Sequence, residues 1–203
     1  AGESAPFGPG SYEIALLAAG GCITAAHTIL DGLVTNAYAL VRPCGHHAEA
    51  DRGRGFCIFS NVAIAVKDIL SRDDISRVAV VDWDVHHGNG TESVFYDNPN
   101  VLTISIHEDS LYPYNRGAIE DIGEGAGEGF NINIPLPPGC GGGAYHAAME
   151  RIVLPALESF NPDMILVASG LDASTWDPLG HMMLLSSHYR SMTQQLLEVA
   201  IRL

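Results

Sequence analysis

Five short aliphatic runs limit most tightly what this chain can fold into: Tyr38–Val41, Val78–Val81, Val101–Ile106, Phe130–Ile134 and Met164–Ala168. Each is rich in Val, Ile or Leu and bounded by turn residues, the pattern of a strand buried on both faces. Between several of them the spacing changes to that of helices. Apolar residues recur at helical intervals over Ile14–Leu30, and Asn61–Leu70 follows Ser60, which is placed to cap it. Tyr145–Phe160 carries Pro155, which should kink or split it, and Ser187–Leu203 has Ser186 or Ser187 as its cap. Strands alternating with helices predict an α/β domain built on a mostly parallel sheet covered on both faces.

Neither end of the sequence reads as a domain boundary. The last helical stripe (Leu196, Leu197, Ile201, Leu203) has no Gly or Pro to stop it, and the start, Gly2 to Gly10, reads as a loop. The expectation is therefore a single, partial domain over residues 1–203, truncated at both ends. Composition narrows the function classes. With 10 basic and 24 acidic side chains among 203 residues, the net charge is −14, and nothing here would neutralise nucleic-acid phosphates. Lys67 is the only lysine, so there is no polybasic nuclear or membrane patch. No secretory signal opens the chain, and its apolar stretches are broken by Gly, Asp or His before a membrane-spanning length. Cys22, Cys44, Cys57 and Cys140 form no Cys-x-x-Cys pair, which favours reduced thiols, a cytoplasmic location and no thiolate zinc site.

Ligands of open α/β sheets bind where strands end, and polar residues follow four of the five runs. Arg42-Pro-Cys-Gly-His46-His47 follows the first and Asp82-Trp-Asp84-Val-His86-His87-Gly-Asn89-Gly the second. His107 follows the third, and Ser169-Gly-Leu-Asp172-Ala follows the fifth. In extended chain Asp82, Asp84 and His86 share one face, since they stand at i, i+2 and i+4. One imidazole and one carboxylate together bind a divalent ion, and Asp172 could add a third ligand. Three protein ligands leave a position for water, the catalytic arrangement of zinc, though an N/O set also suits iron or cobalt. His46 and His47 are the candidate proton handlers, with Asp82 and Asn89 as partners that tune them. His27, His146, His181 and His188 read as structural, and His107 as a ligand-edge residue or a loop support. Gly139 to Gly143 lacks the lysine of a phosphate-binding loop, and Trp83 and Phe95 read as core.

Arg42-Pro-Cys-Gly-His46-His47-Ala, Gly55-Phe56-Cys57-Ile-Phe-Ser-Asn61, Asp82-Trp-Asp84-Val-His86-His87-Gly-Asn89-Gly-Thr and Ser169-Gly-Leu-Asp172-Ala, in that order, resemble the zinc-dependent histone deacetylase family. That family includes bacterial deacetylase-like amidohydrolases and acetylpolyamine amidohydrolases. The resemblance runs from about Ser11 to the end. It implies an arginase/deacetylase-type three-layer α/β fold and a hydrolase that removes acetyl groups from lysine side chains or related amines. It implies one zinc ion per chain on Asp84, His86 and Asp172, and a catalytic pair His46 and His47 served by Asp82 and Asn89. Asparagine at Asn89 is similar to the class II branch. His47 would move the protons while His46 stays charged. Gly55, Phe56 and Tyr112 would contact the acyl-lysine stem. A structural potassium or sodium ion would lie near Asp82, Asp84, His86, Ser105 and Ile106, and a second near Phe95 and Val101.

Two departures qualify what the resemblance implies. Cys44 stands where the family has proline, and the family's oxyanion tyrosine would fall beyond Leu203, so weak activity is expected of these residues alone. Missing strands would leave bare sheet edges prone to self-association, so a homo-oligomer is a further expectation. The rival functions are a binuclear ureohydrolase, which lacks a second acidic ligand here, and a non-catalytic domain that binds acyl amines or a partner. The substrate expected is an acetylated lysine peptide or an acetylated polyamine, with no nucleic acid and no membrane as partner.

Overall fold

The computed structural model describes residues 2–203, which divide into two compact units. One comprises residues up to Ile75 together with Asn89–Val94; the other comprises Ser76–Gly88 and Phe95–Leu203.

The first unit is helical. Helix α1 (Ser11–Leu30) buries Ala15, Ala18, Ala19 and Ala26, small side chains that let it lie close to α2 (Asn61–Ile69). His27 Nε2 donates to Asp68 across that pair (2.5 Å), and Arg72 reaches His27 Nδ1 and Asp31. Gly20, Gly21 and His27 do not interrupt the helix. The expectation that no apolar stretch reaches a spanning length is thus corrected: α1 has 20 residues, a mean hydropathy of 1.5, and by length and composition alone could cross a membrane. Ser60 stands at the N-cap of α2 but makes no capping bond; its hydroxyl is buried without a partner among the described residues. Tyr38–Val41 is not a strand. Leu40 is 89% exposed and Tyr38 65%, so no burial holds that run in a ladder. Helix α3 (Asn89–Phe95) begins in this unit, and its Gly90 and Thr91 N–H groups donate to the His46 carbonyl. That acceptor satisfies two of the orphan donors at a helix start.

The second unit is the parallel sheet. Its strands β1 (Val78–Asp82), β2 (Val101–Glu108), β3 (Asn131–Leu136) and β4 (Met164–Ala168) stand in the order β3-β2-β1-β4, with every pairing parallel. Every residue of β1 and β2 is buried, as unbroken aliphatic runs require. The β3 ladder starts one residue later than Phe130 and runs through Pro135, which an edge strand tolerates. Helices α4 (Gly142–Ala148), α5 (Leu154–Phe160) and α6 (Ser186–Arg202), with the turn between the first two, supply Met149, Leu157, Met192 and Leu196 to a core shared with Ala79, Val81, Leu102 and Ile104. A π-helical turn over Met149–Val153 splits α4 from α5 beside Pro155, whose ring forbids a regular α turn. Neither Ser186 nor Ser187 caps α6. The N-cap is Leu185, whose N–H donates to His188 Nδ1 at 3.0 Å.

Asp163 clamps the entry to this sheet. Its Oδ2 accepts from the Ser76 and Arg77 N–H groups, both at 2.8 Å, and from the Ser76 hydroxyl at 3.0 Å. Those backbone donors, first Ser76 and then Arg77, hold its carboxyl below the usual carboxylate range. Stabilisation from a depressed carboxylate is present above its unfolded pKa and is lost as pH falls through the folded one. Asp163→Ala is expected to cost about 1–2 kcal/mol at pH 7, a figure discounted because the carboxylate is solvated. Thermal unfolding should show the gap between wild type and variant closing toward pH 3; a gap independent of pH would contradict it.

Candidate functional site

The β1–β2 and β1–β4 registers align Asp82 with Ser105 and with Ala168, so β1, β2 and β4 release their following segments at one edge of the sheet. The strand itself ends at Asp82. The three-residue alternation expected to carry the ligands does not continue beyond it; two successive side-chain turns take over. The Asp84 N–H donates to Asp82 Oδ1 (3.0 Å), and the His86 N–H to Asp84 Oδ1 (2.8 Å). Such turns are what Asp does locally in place of a ladder. After β4, Asp172 enters the same place: its Oδ1 accepts the Val85 N–H at 2.9 Å.

The result is one imidazole nitrogen between two carboxylates. His86 Nδ1 is 2.9 Å from Asp84 Oδ1 and 2.9 Å from Asp172 Oδ2, and all three side chains are largely withdrawn from water. One donor atom from each lies within 4.8 Å of the others. Gly170 is the residue that allows this. A Cβ there would stand 2.3 Å from Asp84 Oδ2 and 2.6 Å from Asp84 Cα.

The donor set fits a divalent cation. Tetrahedral N/O ligands at about 2.0–2.1 Å from zinc stand roughly 3.3 Å from one another, near the 2.9 Å between the His86 nitrogen and each carboxylate. Electrostatics agree. Burial alone lowers the His86 pKa, but hydrogen bonds to Asp172 and then Asp84 outweigh it and lift the imidazole to about 9. Burial pushes the Asp172 carboxyl up. Two carboxylates facing one imidazole nitrogen favour a positive charge beside them, supplied by the imidazolium or by a bound cation. The Tyr112 ring lies edge-on to His86 at 6.4 Å, which places this sequence candidate beside the cluster.

Around this cluster, Ser105 Oγ faces His107 Nδ1 (3.0 Å) and the Gly88 N–H (3.4 Å). His107 Nε2 reaches the Gly117 carbonyl at 3.1 Å, so His107 is a loop support. Ile106 is buried within β2. Phe95 and Val101, candidates for a second monovalent site, are both buried, and the Phe95 carbonyl already accepts the Asn98 N–H. The other histidines read as structural have such partners: His181 with buried Glu108, His146 with Glu150, and His188 with the start of α6.

The first unit brings together His46, His47 and Asn89. Both rings are buried and in contact, with centroids 3.9 Å apart and planes tilted by 38°. The loop carrying them is fixed by Gly90 and Thr91 N–H groups on the His46 carbonyl and by Asn61 Nδ2 on the Pro43 carbonyl (2.9 Å). A Cβ on Gly90 would stand 2.3 Å from the Ala48 oxygen. His47 Nδ1 pairs with Asn89 Oδ1 at 2.8 Å, the partnership anticipated from sequence. Gly55 and Phe56 both have positive φ, and the Phe56 side chain is 57% exposed. Sequence reasoning missed two features here. Cys44 and Cys57 bring their thiols to 3.4 Å, though 13 positions apart. Glu49, two residues beyond His47, hydrogen-bonds Asn89; a charged residue so near two buried histidines was the available signal.

The sequence matches the histone deacetylase domain over residues 1–203. It is 52% identical over 201 residues to a histone deacetylase-like amidohydrolase of Pseudomonas aeruginosa, covering 99% of this chain and 53% of that protein. It is 45% identical to histone deacetylase 8 of Arabidopsis thaliana, covering 95% and 52%. Its structure is similar to that of an acetylpolyamine aminohydrolase from Burkholderia pseudomallei, with a TM-score of 0.90 and 35% identity, covering 95% of this chain and 56% of the other. The chain thus spans about half the length of the curated relatives it matches.

Proposed function

The chain belongs to the histone deacetylase family and has its arginase/deacetylase-type α/β fold, and from that premise we propose that it serves a zinc-dependent amide hydrolase that releases acetate from acetylated lysine side chains or acetylated polyamines. The observation that supports this best is the Asp84–His86–Asp172 cluster, an open N/O donor set with both carboxylates 2.9 Å from one imidazole nitrogen. When bound there, zinc supplies Lewis acidity for the amide carbonyl and lowers the pKa of water toward about 7.

The chain's own residues do the rest. His47 removes a proton from the attacking water and returns one to the departing amine nitrogen. His46, charged, stabilises the negative charge that builds on the amide oxygen. Asn89 holds His47 through Nδ1. Phe56 offers an exposed aromatic face to the acyl-lysine stem, and Tyr112 lines the approach to His86. Asp82 has a positioning task, since it accepts the Asp84 N–H. A monovalent cation near Asp82, Ser105 and Ile106 completes the proposal.

The test is acetate release from an acetyl-lysine peptide and from an acetylated polyamine, with metal content measured on the same sample. One zinc per chain, turnover lost on chelation and restored by zinc, supports the proposal. Tight binding of the acetylated peptide with no turnover by the zinc-loaded protein would replace it with a binding module, and two ions per chain with a binuclear hydrolase.

A further inference from the structure

The contact between His47 and Asn89 does not by itself fix where the imidazole proton sits. An amide side chain offers an acceptor oxygen on one side and a donor NH2 on the other, and a neutral imidazole Nδ1 either donates or accepts. Two arrangements therefore satisfy a 2.8 Å contact, and they leave opposite tautomers of His47. A third group has to decide.

Glu49 is that group. Its Oε1 lies 2.9 Å from Asn89 Nδ2, and the His47 carbonyl lies 3.3 Å from the same nitrogen. Both are acceptors, so the NH2 must face them. The amide oxygen is then turned to His47, Nδ1 must carry the proton, and Nε2 is the unprotonated nitrogen of the neutral ring. Glu49 is itself held firmly. Arg54 Nη1 donates to the same Oε1 at 2.9 Å, Arg52 Nε approaches Oε2 at 3.2 Å, and the Glu49 N–H donates to the Arg52 carbonyl at 3.0 Å. Arg54 continues to Glu3 at 2.8 Å. The Glu49 and Arg54 side chains are only 10% and 15% exposed, so this pair carries a desolvation cost that an ordinary surface clamp avoids.

We infer that Glu49 is a positioning residue: it fixes the orientation of Asn89 and, through that amide, holds His47 in the Nδ1–H tautomer with Nε2 as the unprotonated nitrogen. In the deacetylase reading, on which the kinetic consequence rests, a carboxylate set one amide away orients the base without placing a full negative charge on it. The same geometry makes Asn89 and Glu49 mutually dependent. Aspartate at position 89 would face Glu49 carboxylate to carboxylate, with no donor between them.

The test begins with Glu49→Gln, which keeps the shape but can turn either an oxygen or an NH2 toward Asn89. Nitrogen-15 spectra of histidine-labelled protein are expected to show His47 as a single Nδ1–H tautomer in the wild type and as a mixture in the variant. Glu49→Asp, which withdraws the carboxylate by one methylene, is expected to act in the same direction and serves if the first variant folds poorly. In turnover, Glu49→Gln should lower kcat by about 10–100-fold with little change in KM. Asn89→Asp should also lower it, whereas Asn89→Asp combined with Glu49→Gln should recover activity above either single variant, because the introduced amide then donates to the introduced carboxylate. An unchanged His47 tautomer in both Glu49 variants, or effects that simply add in the double variant, would overturn the inference. The spectra need no turnover, so failure of the deacetylase reading would show separately, as a protein with the ordered tautomer and no hydrolysis.

Discussion

Asp172→Ala is expected to remove stoichiometric binding of the divalent ion and to lower acetate release by more than about 10²-fold, since loss of partners lying one layer further out already costs 10–100-fold. Asp172 performs two tasks with two oxygens. Oδ1 accepts the Val85 N–H, and Oδ2 faces His86 Nδ1. Alanine removes both, leaving one carboxylate and one imidazole for the ion and an unsatisfied N–H worth about 1–3 kcal/mol of stability. Asp172→Asn separates the two effects. Its oxygen can still accept from Val85, so the segment after β1 stays in place, while the lost charge removes the demand for a cation. The expected result is a folded variant, with wild-type unfolding within about 1 kcal/mol, that retains less than about one-tenth of the ion after dialysis. Metal analysis on both variants decides the matter. Full zinc content in Asp172→Asn with turnover intact would move the metal centre away from these residues.

The residues of this centre are legible in the sequence because they follow aliphatic runs that form strands. β1 carries no polar residue before Asp82 and β4 none at all, and an unbroken aliphatic run is recognisable without periodicity; β1 and β2 are buried throughout, whereas β4 is half-buried. The same reasoning failed at Tyr38–Val41, because an apolar run looks alike whether or not a neighbour pairs with it, and here Leu40 faces solvent. Helix α3 was missed for the converse reason. Asn89-Gly-Thr-Glu-Ser-Val-Phe has little apolar periodicity, and the helix start is held by the distant His46 carbonyl. The spacing of Asp84 and His86 pointed to a shared ligand for the wrong reason. Aspartate side-chain turns, not a pleated strand, bring them together. Contacts such as Glu49 with Asn89 and Cys44 with Cys57 join segments through tertiary structure, which leaves no local pattern to read.

His47→Ala is expected to lower kcat by about 10²–10⁴-fold, the usual worth of a positioned acid–base group, while zinc content stays at the wild-type level. The division follows from where the residue stands: its buried ring is engaged by Asn89 through Nδ1 and by the His46 ring at 3.9 Å, and none of the proposed ligands Asp84, His86 and Asp172 lies in that loop. Deleting a buried ring also leaves a cavity, so a fall in activity alone could be a fall in order. His47→Gln answers that objection. Glutamine retains much of the volume, yet it cannot take up a proton at neutral pH. Both variants should therefore lose kcat together while KM for the acetylated peptide changes little, the pattern of an interaction made only in the transition state. If His47→Gln turned over at the wild-type rate, proton transfer would have to be assigned to His46. If both variants bound zinc and peptide normally and the wild-type protein itself released no acetate, the family scaffold would survive as a binding domain and the hydrolytic role of His47 would be lost.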